Sequence, residues 1–399
     1  MPSSSRRCSY PRGGSPTSTG RKRVLLGGVA VFTAASAVAS FPPSLDVLIA
    51  ARAVQAVGAA TIVPTSVGLL YPSFPKRQHT LVVGIWAGVA GIAASAGPPV
   101  GGLLVTVDWR WIFLVNLPIG IATIATGIIV LPEVRQAAGA RPPDLVSGFA
   151  LLFGVSLLVL ATVEGPDGGW GSGRTIGLFA AAALLGTVTL QRTLRAPSPV
   201  IEKELFRSRQ FTAATIALLL YFTGFSVFLL GGALFMRNVW HFSALRAGAG
   251  IAPAPTASVG FALSIGPIRA RYGRTLPALT GTAAMAVAAG YWLVTIGGTH
   301  AYWTALFPGL VLMGISGGLS QAPMFVAAAT LAPERATTGS AVLNMTPRIG
   351  GALGVALLVA LIATSDGTAG FKHAWAVQAG TGAVAAASLF LLRPRTSSD

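Results

Sequence analysis

The sequence predicts an all-α polytopic membrane protein with about twelve transmembrane helices. Hydrophobic residues make up 53% of the 399-residue chain, charged residues only 10%, and the mean hydropathy is +0.70. Soluble domains rarely combine these values. A helix needs roughly 20 mostly apolar residues to cross a bilayer core, and stretches of that length recur from Val24 almost to the C-terminus. They are too long and too continuously apolar for the alternating strands of a membrane barrel.

Twelve apolar stretches define the predicted spans. They cover residues 24–41, 47–70, 80–105, 111–131, 145–163, 175–191, 211–236, 247–268, 276–296, 303–331, 338–363 and 374–392. The first span has a second interpretation as a cleavable secretion signal, because basic residues precede it and Ala37-Val38-Ala39 lies near its end. Eleven further spans favour an ordinary transmembrane helix. Residues 1–20, rich in Ser, Pro, Arg and Gly, predict a disordered tail.

The charge distribution predicts the topology. The chain carries 28 Lys and Arg against 11 Asp and Glu, a net charge of +17. Most of the basic residues fall in one set of alternate loops, which predicts a multi-pass protein of the cell (inner) membrane with both termini cytoplasmic. No helix face gathers them, so we expect no nucleic acid partner. Cys8 is the one cysteine, which excludes a disulfide framework.

The third span carries small residues on one helix face. Their spacing is four, three, four, three and four: Gly84, Gly88, Gly91, Ser95, Pro98 and Gly102. Such a face lets another helix backbone approach closely, and Pro98 removes one backbone hydrogen bond. Two interpretations remain open for this face, simple tight packing and a pivot between rocking helices.

This stretch also resembles a family motif. Residues 91–102 look like the fifth-helix antiporter motif of the major facilitator drug exporters. The resemblance implies a hinge at Gly91, Gly97, Pro98, Gly101 and Gly102. It also implies the major facilitator fold, with two pseudo-symmetric helical bundles.

Two further stretches resemble motifs of the same family. Residues 48–60 resemble its fourth-helix motif, whose arginine is associated with proton coupling and corresponds to Arg52, although Ala56 stands where the motif usually has Gly. Gln55 lies one turn from that arginine. Residues 108–120 resemble the start of the sixth helix in the fourteen-helix drug:proton antiporter branch.

The basic run before the first span resembles the end of a cytoplasmic motif of this family. Gly20, Arg21 and Arg23 match it, whereas residues 15–19 depart from its upstream half. A related pattern recurs in the second half of the chain. The resemblance therefore implies a cytoplasmic gating loop formed by Gly20, Arg21, Arg23, Arg271 and Arg274. Because the motif normally follows two helices, the chain is expected to lack the first two of fourteen.

Internal similarity predicts two related halves. Residues 58–64 parallel residues 317–323, and residues 97–102 parallel residues 346–351. The predicted organisation is a disordered cytoplasmic tail (1–20), an incomplete N-terminal bundle (21–135), two linking transmembrane helices (136–200) and a C-terminal bundle (201–395).

Two arginines fall inside predicted spans, where a central charge costs at least about 2.5 kcal/mol. Arg348 lies roughly 15 Å into its helix and shares a face with Asn344. It is either a structural residue bonded to carbonyls or a substrate-facing group. Arg52 lies about 10 Å deep and either reaches the outer interface or faces the transport cavity. The acids lie in loops or near span ends, so the proton-carrying acid is expected on the absent segment.

The resemblance implies a function. It implies export of small drug-like or amphipathic molecules by proton antiport with alternating access, around Arg52, Gln55, Asn344 and Arg348. Isolated histidines and the lack of a Walker lysine predict no enzyme activity, no metal and no cofactor. The expected partners are a small-molecule substrate, protons and the lipid bilayer, with a monomeric protein. The alternatives are a transport-inactive remnant and a membrane-embedded enzyme.

Overall fold

A computed structural model describes residues 20–391, apart from residues 76–77, 134–143, 196–201, 274, 326, 328–330, 332 and 366. The described residues are almost entirely α-helical, and none of them lies in a β-strand. The predicted all-α class is therefore confirmed. The predicted tail boundary lies at the edge of the described residues, while those near 135, 200 and 395 lie outside them.

Fifteen α-helices occur in the described part of the chain. They are α1 (Arg21–Ser40), α2 (Leu45–Ser73), α3 (His79–Val107), α4 (Trp111–Leu114), α5 (Asn116–Val130), α6 (Leu145–Gly168), α7 (Gly173–Arg195), α8 (Arg209–Asn238), α9 (Ala244–Ile251), α10 (Pro253–Leu263), α11 (Ile265–Tyr272), α12 (Thr275–Thr295), α13 (Phe307–Phe325), α14 (Pro333–Ala363) and α15 (Ala369–Leu391). A 3-10 turn (Lys203–Arg207) precedes α8, and a π-helical turn (Tyr302–Leu306) precedes α13.

Helical structure coincides with every predicted span. Among the described residues, nine helical stretches are long and apolar enough to cross a membrane. The other three predicted spans correspond to α3, to the α9–α11 segment and to α15. The span predicted at 247–268 is three short helices rather than one, with breaks at Ala252 and Ser264. Pro253 begins α10, and because it has no amide hydrogen it cannot continue the hydrogen bonding of α9.

Short polar residues begin several of these helices. Ser44, Asp144, Ser208 and Ser243 each accept a hydrogen bond from the backbone amide three residues further on. Each thereby satisfies one amide that has no partner inside its helix. The helix starts are thus set by local sequence, independently of the apolar pattern.

The helices form two compact units. Unit 1 contains the described residues of Met1–Ala87 and Val107–Arg141. In it α1 packs along α2 and against α5. A side chain at Gly58 would place its Cβ 2.7 Å from the backbone nitrogen of Phe32, so the α1–α2 contact needs glycine there. Small residues at such contacts are typical of membrane helices.

Unit 2 contains the described residues of Gly88–Thr106 and Pro142–Asp399. α8 packs between α14 and α15, α12 packs on α13 and α15, and α6 packs on α7 and α14. The core is aromatic: the ring of Phe228 stacks on Trp292 at 5.6 Å, and Trp292 lies 6.1 Å from Trp375. All three side chains are buried.

Candidate functional site

A chain of hydrogen bonds holds Arg52 in unit 1. The Arg52 guanidinium (Nη1) donates to Gln55 Oε1 at 2.5 Å, and Gln55 Nε2 donates to Ser36 Oγ at 2.6 Å. Ser36 Oγ donates in turn to the Phe32 carbonyl at 2.8 Å. Asn116, the first residue of α5, donates to the same Ser36 oxygen at 3.4 Å. We call Arg52, Gln55, Ser36 and Asn116 the Arg52 network.

The network joins three helices of unit 1, and its two central side chains are buried, whereas Arg52 is exposed and Asn116 half-buried. Gln55 is 3% exposed and Ser36 is fully buried. The guanidinium itself lies over the ring of Phe113 in α4, 5.7 Å from its centroid. A cation over an aromatic face is attracted by the negative charge of the ring. The guanidinium is thus held by neutral groups.

Among the described residues, no carboxylate pairs with either of the predicted intramembrane arginines. The ion pairs among the described residues involve neither Arg52 nor Arg348. The Arg52 guanidinium therefore brings a positive charge to the network without a carboxylate beside it in the described part of the chain.

The second predicted pair lies on α14 in unit 2. Asn344 and Arg348 are both exposed in this unit, and they occupy one helix face because four residues separate them. The Asn344 amide donates to the Ser340 carbonyl at 2.8 Å. The structure gives Arg348 no hydrogen bond within its described part, so its guanidinium lies open on this face.

The predicted hinge in α3 packs tightly against α9 within unit 2. A Cβ at Gly102 would lie 2.6 Å from the Ala244 carbonyl, and a Cβ at Gly248 would overlap the Pro98 carbonyl. Gly97 and Gly101, in contrast, have open space where a Cβ would be. The helix continues through Pro98 and Pro99. Gly91 lies in the same helix.

The basic run at the start of α1 contacts the ends of other helices. Arg21 Nη1 donates to the Gly68 carbonyl near the end of α2 at 2.6 Å, and Lys22 Nζ donates to the Ile128 carbonyl near the end of α5 at 2.7 Å. Arg23 lies 3.9 Å from the Glu133 carboxylate. That carboxylate also lies against the Cα of Gly20, which leaves no room for a side chain there. Cations near helix C-termini are favourable because they meet the negative end of the helix dipole.

Of the corresponding basic residues of the second half, the structure describes Arg271. The Arg271 guanidinium lies 5.3 Å from the ring centroid of Tyr272. Arg274 lies outside the described residues, directly after Gly273, whose φ of +73° is in the left-handed region.

Two carboxylates outside the membrane-spanning segments are held ionised. The Arg110 backbone amide donates to Asp108 at 2.9 Å and lowers the pKa of that carboxyl. Arg192 donates to both oxygens of Asp144, at 2.8 and 3.0 Å, and this contact, aided by the Ser147 hydroxyl, lowers the pKa of Asp144 far below its ordinary value. The second pair fastens α6 to α7.

The sequence predicted part of the Arg52 network and missed the rest. Arg52 and Gln55 were expected together, whereas Ser36 and Asn116 were not named as site residues. Asn116 lies in the stretch 108–120 that resembles a family motif, and that resemblance was the signal that could have identified it as a site residue. In the described part of the chain no group of His, Cys, Asp and Glu could hold a metal ion.

Comparison with known proteins identifies the relatives of this chain. The sequence profile of the Major Facilitator Superfamily matches residues 17–355. The chain is 35% identical to the methylenomycin A resistance protein of Streptomyces coelicolor, over 89% of this chain and 74% of that protein. It is 30% identical to the tetracenomycin C resistance and export protein of Streptomyces glaucescens, over 90% of this chain and 66% of that protein. The chain thus spans about two thirds to three quarters of the length of these relatives.

Solved structures share the fold at low sequence identity. A POT family transporter in complex with 5-aminolevulinic acid matches with a TM-score of 0.64 and 17% identity, over 94% of this chain and 81% of that one. A variant of the nucleoside transporter NupG matches with a TM-score of 0.61 and 12% identity, over 94% and 84% of the two chains. These matches confirm the predicted fold, and they are transporters rather than enzymes.

Proposed function

Because this chain belongs to the Major Facilitator Superfamily, we propose that it exports small drug-like or amphipathic molecules by proton antiport with alternating access. Relatives named for antibiotic resistance and export support the direction and the substrate class. The observation that carries the mechanism is the Arg52 network, a permanent charge held by buried neutral side chains within unit 1.

The Arg52 network acts as the electrostatic element of the antiport. A fixed positive charge lowers the pKa of any nearby carboxyl and so favours release of its proton. Gln55 accepts a short hydrogen bond from the guanidinium and is itself anchored by Ser36, so the position of the guanidinium does not depend on the protonation of another group. An approaching proton-carrying carboxylate would compete with Gln55 for the guanidinium, and this competition couples protonation to helix movement.

Arg348 and Asn344 supply substrate contacts from unit 2. The open guanidinium of Arg348 has donors free for a ligand, and Asn344 adds an amide on the same face. A bound anionic or hydrogen-bonding group would compensate the charge of Arg348 in the membrane.

Alternating access requires a contact that can be broken and remade. The glycine contact between α3 and α9 provides one, because backbones that touch without interlocking side chains can slide past each other. We assign the hinge to Gly97, Pro98, Gly101 and Gly102, with Gly91 one turn or more before them. On the cytoplasmic side, Gly20, Arg21 and Arg23 belong to the gating loop of the first half, and Arg271 and Arg274 belong to that of the second.

The topology completes the proposal. The protein is a monomer in the cell (inner) membrane, with both termini in the cytoplasm. The strong bias of Lys and Arg to one set of loops supports this orientation.

An efflux assay in cells tests the proposal. Cells without other exporters are loaded with an amphipathic fluorescent dye, and its loss is followed with the wild-type chain and with Arg52→Gln and Arg52→Lys. We expect efflux that an uncoupler abolishes, a strong loss in Arg52→Gln and partial retention in Arg52→Lys, which keeps the charge but not the planar donor fork.

Arg174→Gln is the matched control. Arg174 of α7 pairs with Glu164 of α6, and neither residue belongs to the Arg52 network. Its efflux should equal that of the wild type. Equal efflux from Arg52→Gln would contradict the assigned role, and no efflux from well-expressed wild type would favour the transport-inactive alternative.

A further inference from the structure

Three polar side chains lie deep inside unit 2, where α8, α13 and α15 come together. Tyr221 belongs to α8, Ser316 to α13 and Gln378 to α15, and all three residues have no exposed surface. Apolar groups enclose them: the ring of Phe225 stacks on Tyr221 at 6.0 Å, and Met285 is buried nearby, beside Gly224.

Each of the three side chains has a polar atom without a hydrogen-bond partner in the described part of the chain. The atoms are Tyr221 Oη, Ser316 Oγ and Gln378 Oε1. Ser316 is unusual among the buried hydroxyls of this unit. Ser320 and Thr282 donate to carbonyls of their own helices at 2.6 and 2.9 Å, whereas the Ser316 hydroxyl does not.

Tyr221 and Gln378 both approach α13 close to Ser316. The Tyr221 hydroxyl lies beside the side chains of Ser316, Ser320 and Gln321. Gln378 Nε2 contacts the Met313 sulfur at 3.3 Å. Met313 lies three residues before Ser316, so both project from the same face of α13. We call Tyr221, Ser316 and Gln378 the orphan triad.

The chemistry of the triad selects its ligand. A buried polar atom without a partner is unfavourable, and hydrocarbon around the bundle offers none. The triad has two hydroxyls, which donate and accept, and one carbonyl oxygen, which only accepts. A ligand must therefore donate as well as accept. An ion would lack a counter-charge, since the side chains named around the triad are uncharged.

We propose that the orphan triad binds internal water between α8, α13 and α15. A water molecule has two donors and two acceptors, so it satisfies both the hydroxyls and the carbonyl oxygen of the triad. Gln321, which is half-buried on the next turn of α13, marks the route by which this water exchanges. The hydrogen bonds of the water can form again after α8 and α13 shift slightly against each other, so the water allows small movements between these two helices. This inference does not depend on the proposed export function.

Radiolytic hydroxyl-radical labelling of the full chain tests it. Radicals generated from bound water oxidise the side chains next to it even where bulk water has no access. Met313 and Met236 are both buried, at 1% and 0% exposure, but only Met313 adjoins the triad. We expect Met313 and Tyr221 to be oxidised several times faster than Met236. Equal protection of Met313 and Met236 would overturn the proposal, and this comparison needs no substitution.

A double substitution is a second test, because it shifts the melting temperature in opposite directions for a dry site and for a hydrated site. In a dry site, Ser316→Ala with Gln378→Leu removes two unsatisfied atoms and raises the melting temperature. In a hydrated site the same change expels the water and removes its hydrogen bond to the Tyr221 hydroxyl, so the melting temperature falls and the labelling of Met313 disappears. Thr346→Val is the control, because the buried Thr346 hydroxyl donates to a carbonyl of its own helix, α14, which carries none of the triad. An increase in melting temperature for the double variant would contradict the proposal.

Discussion

Substitution of Gln55 by leucine removes the middle of the Arg52 network while keeping an apolar side chain of similar size. The wild-type amide accepts from Arg52 and donates to Ser36. After Gln55→Leu, the guanidinium keeps only its contact with the Phe113 ring, and Ser36 keeps its bonds to Phe32 and Asn116. The unfolding free energy of the protein should therefore fall.

The two lost hydrogen bonds set the size of that effect. The bond from the guanidinium is charge-assisted, and such bonds contribute about 1.5 to 3 kcal/mol. The bond between Gln55 and Ser36 joins neutral groups in a membrane bundle, where the average is about 0.6 kcal/mol. Gln55→Leu should cost roughly 2 to 3 kcal/mol. Ser36→Ala should cost less, since it leaves the Arg52–Gln55 bond intact.

A double-mutant cycle separates the pair from other effects. Unfolding free energies are measured in mixed micelles for the wild type, Gln55→Leu, Ser36→Ala and the double variant. We expect a coupling energy of about 0.6 kcal/mol between the two positions. Strict additivity of the two single effects would refute a direct bond between Gln55 and Ser36.

Four further substitutions probe other parts of the structure. Gly248→Ala should lower stability and transport because its Cβ overlaps the Pro98 carbonyl, whereas Gly97→Ala, with open space around it, should leave stability unchanged or raise it by up to about 1 kcal/mol in thermal unfolding. Gly58→Val should separate α1 from α2 and reduce the yield of folded protein, as judged by gel filtration. Asp144→Asn should lower the melting temperature at pH 7. Because the pKa of Asp144 is lowered in the folded protein, its contribution is complete at neutral pH and is lost only in acid, so the difference from wild type should vanish as the pH falls below the ordinary carboxyl range.

Sequence patterns predict structure well where the cause is local. Apolar length located the helices, and the spacing of Arg52 and Gln55 placed them on one face, because three residues span nearly one turn. The capping residues Ser44 and Asp144 also act locally.

Features that depend on packing between distant segments could not be predicted in the same way. Ser36 joins the Arg52 network from another helix, 19 residues before Gln55, and Asn116 joins it from 80 residues away. The break at Ala252 was missed for a different reason: Pro253 is a local signal for it, but the apolar pattern continues through that position. The orphan triad gave no signal, because isolated Ser, Tyr and Gln residues occur in many membrane helices.

Proton-coupled export by the purified chain tests the central claim most directly. Proteoliposomes containing an amphipathic fluorescent dye are given a pH gradient across an otherwise depolarised membrane, and dye movement and internal pH are recorded together. For the wild type we expect dye movement that reverses when the gradient is reversed and that is accompanied by proton movement in the opposite direction. In Arg52→Gln we expect the dye movement to be uncoupled from the proton movement. Dye movement that is indifferent to the pH gradient, or proton coupling that survives unchanged in Arg52→Gln, would contradict it.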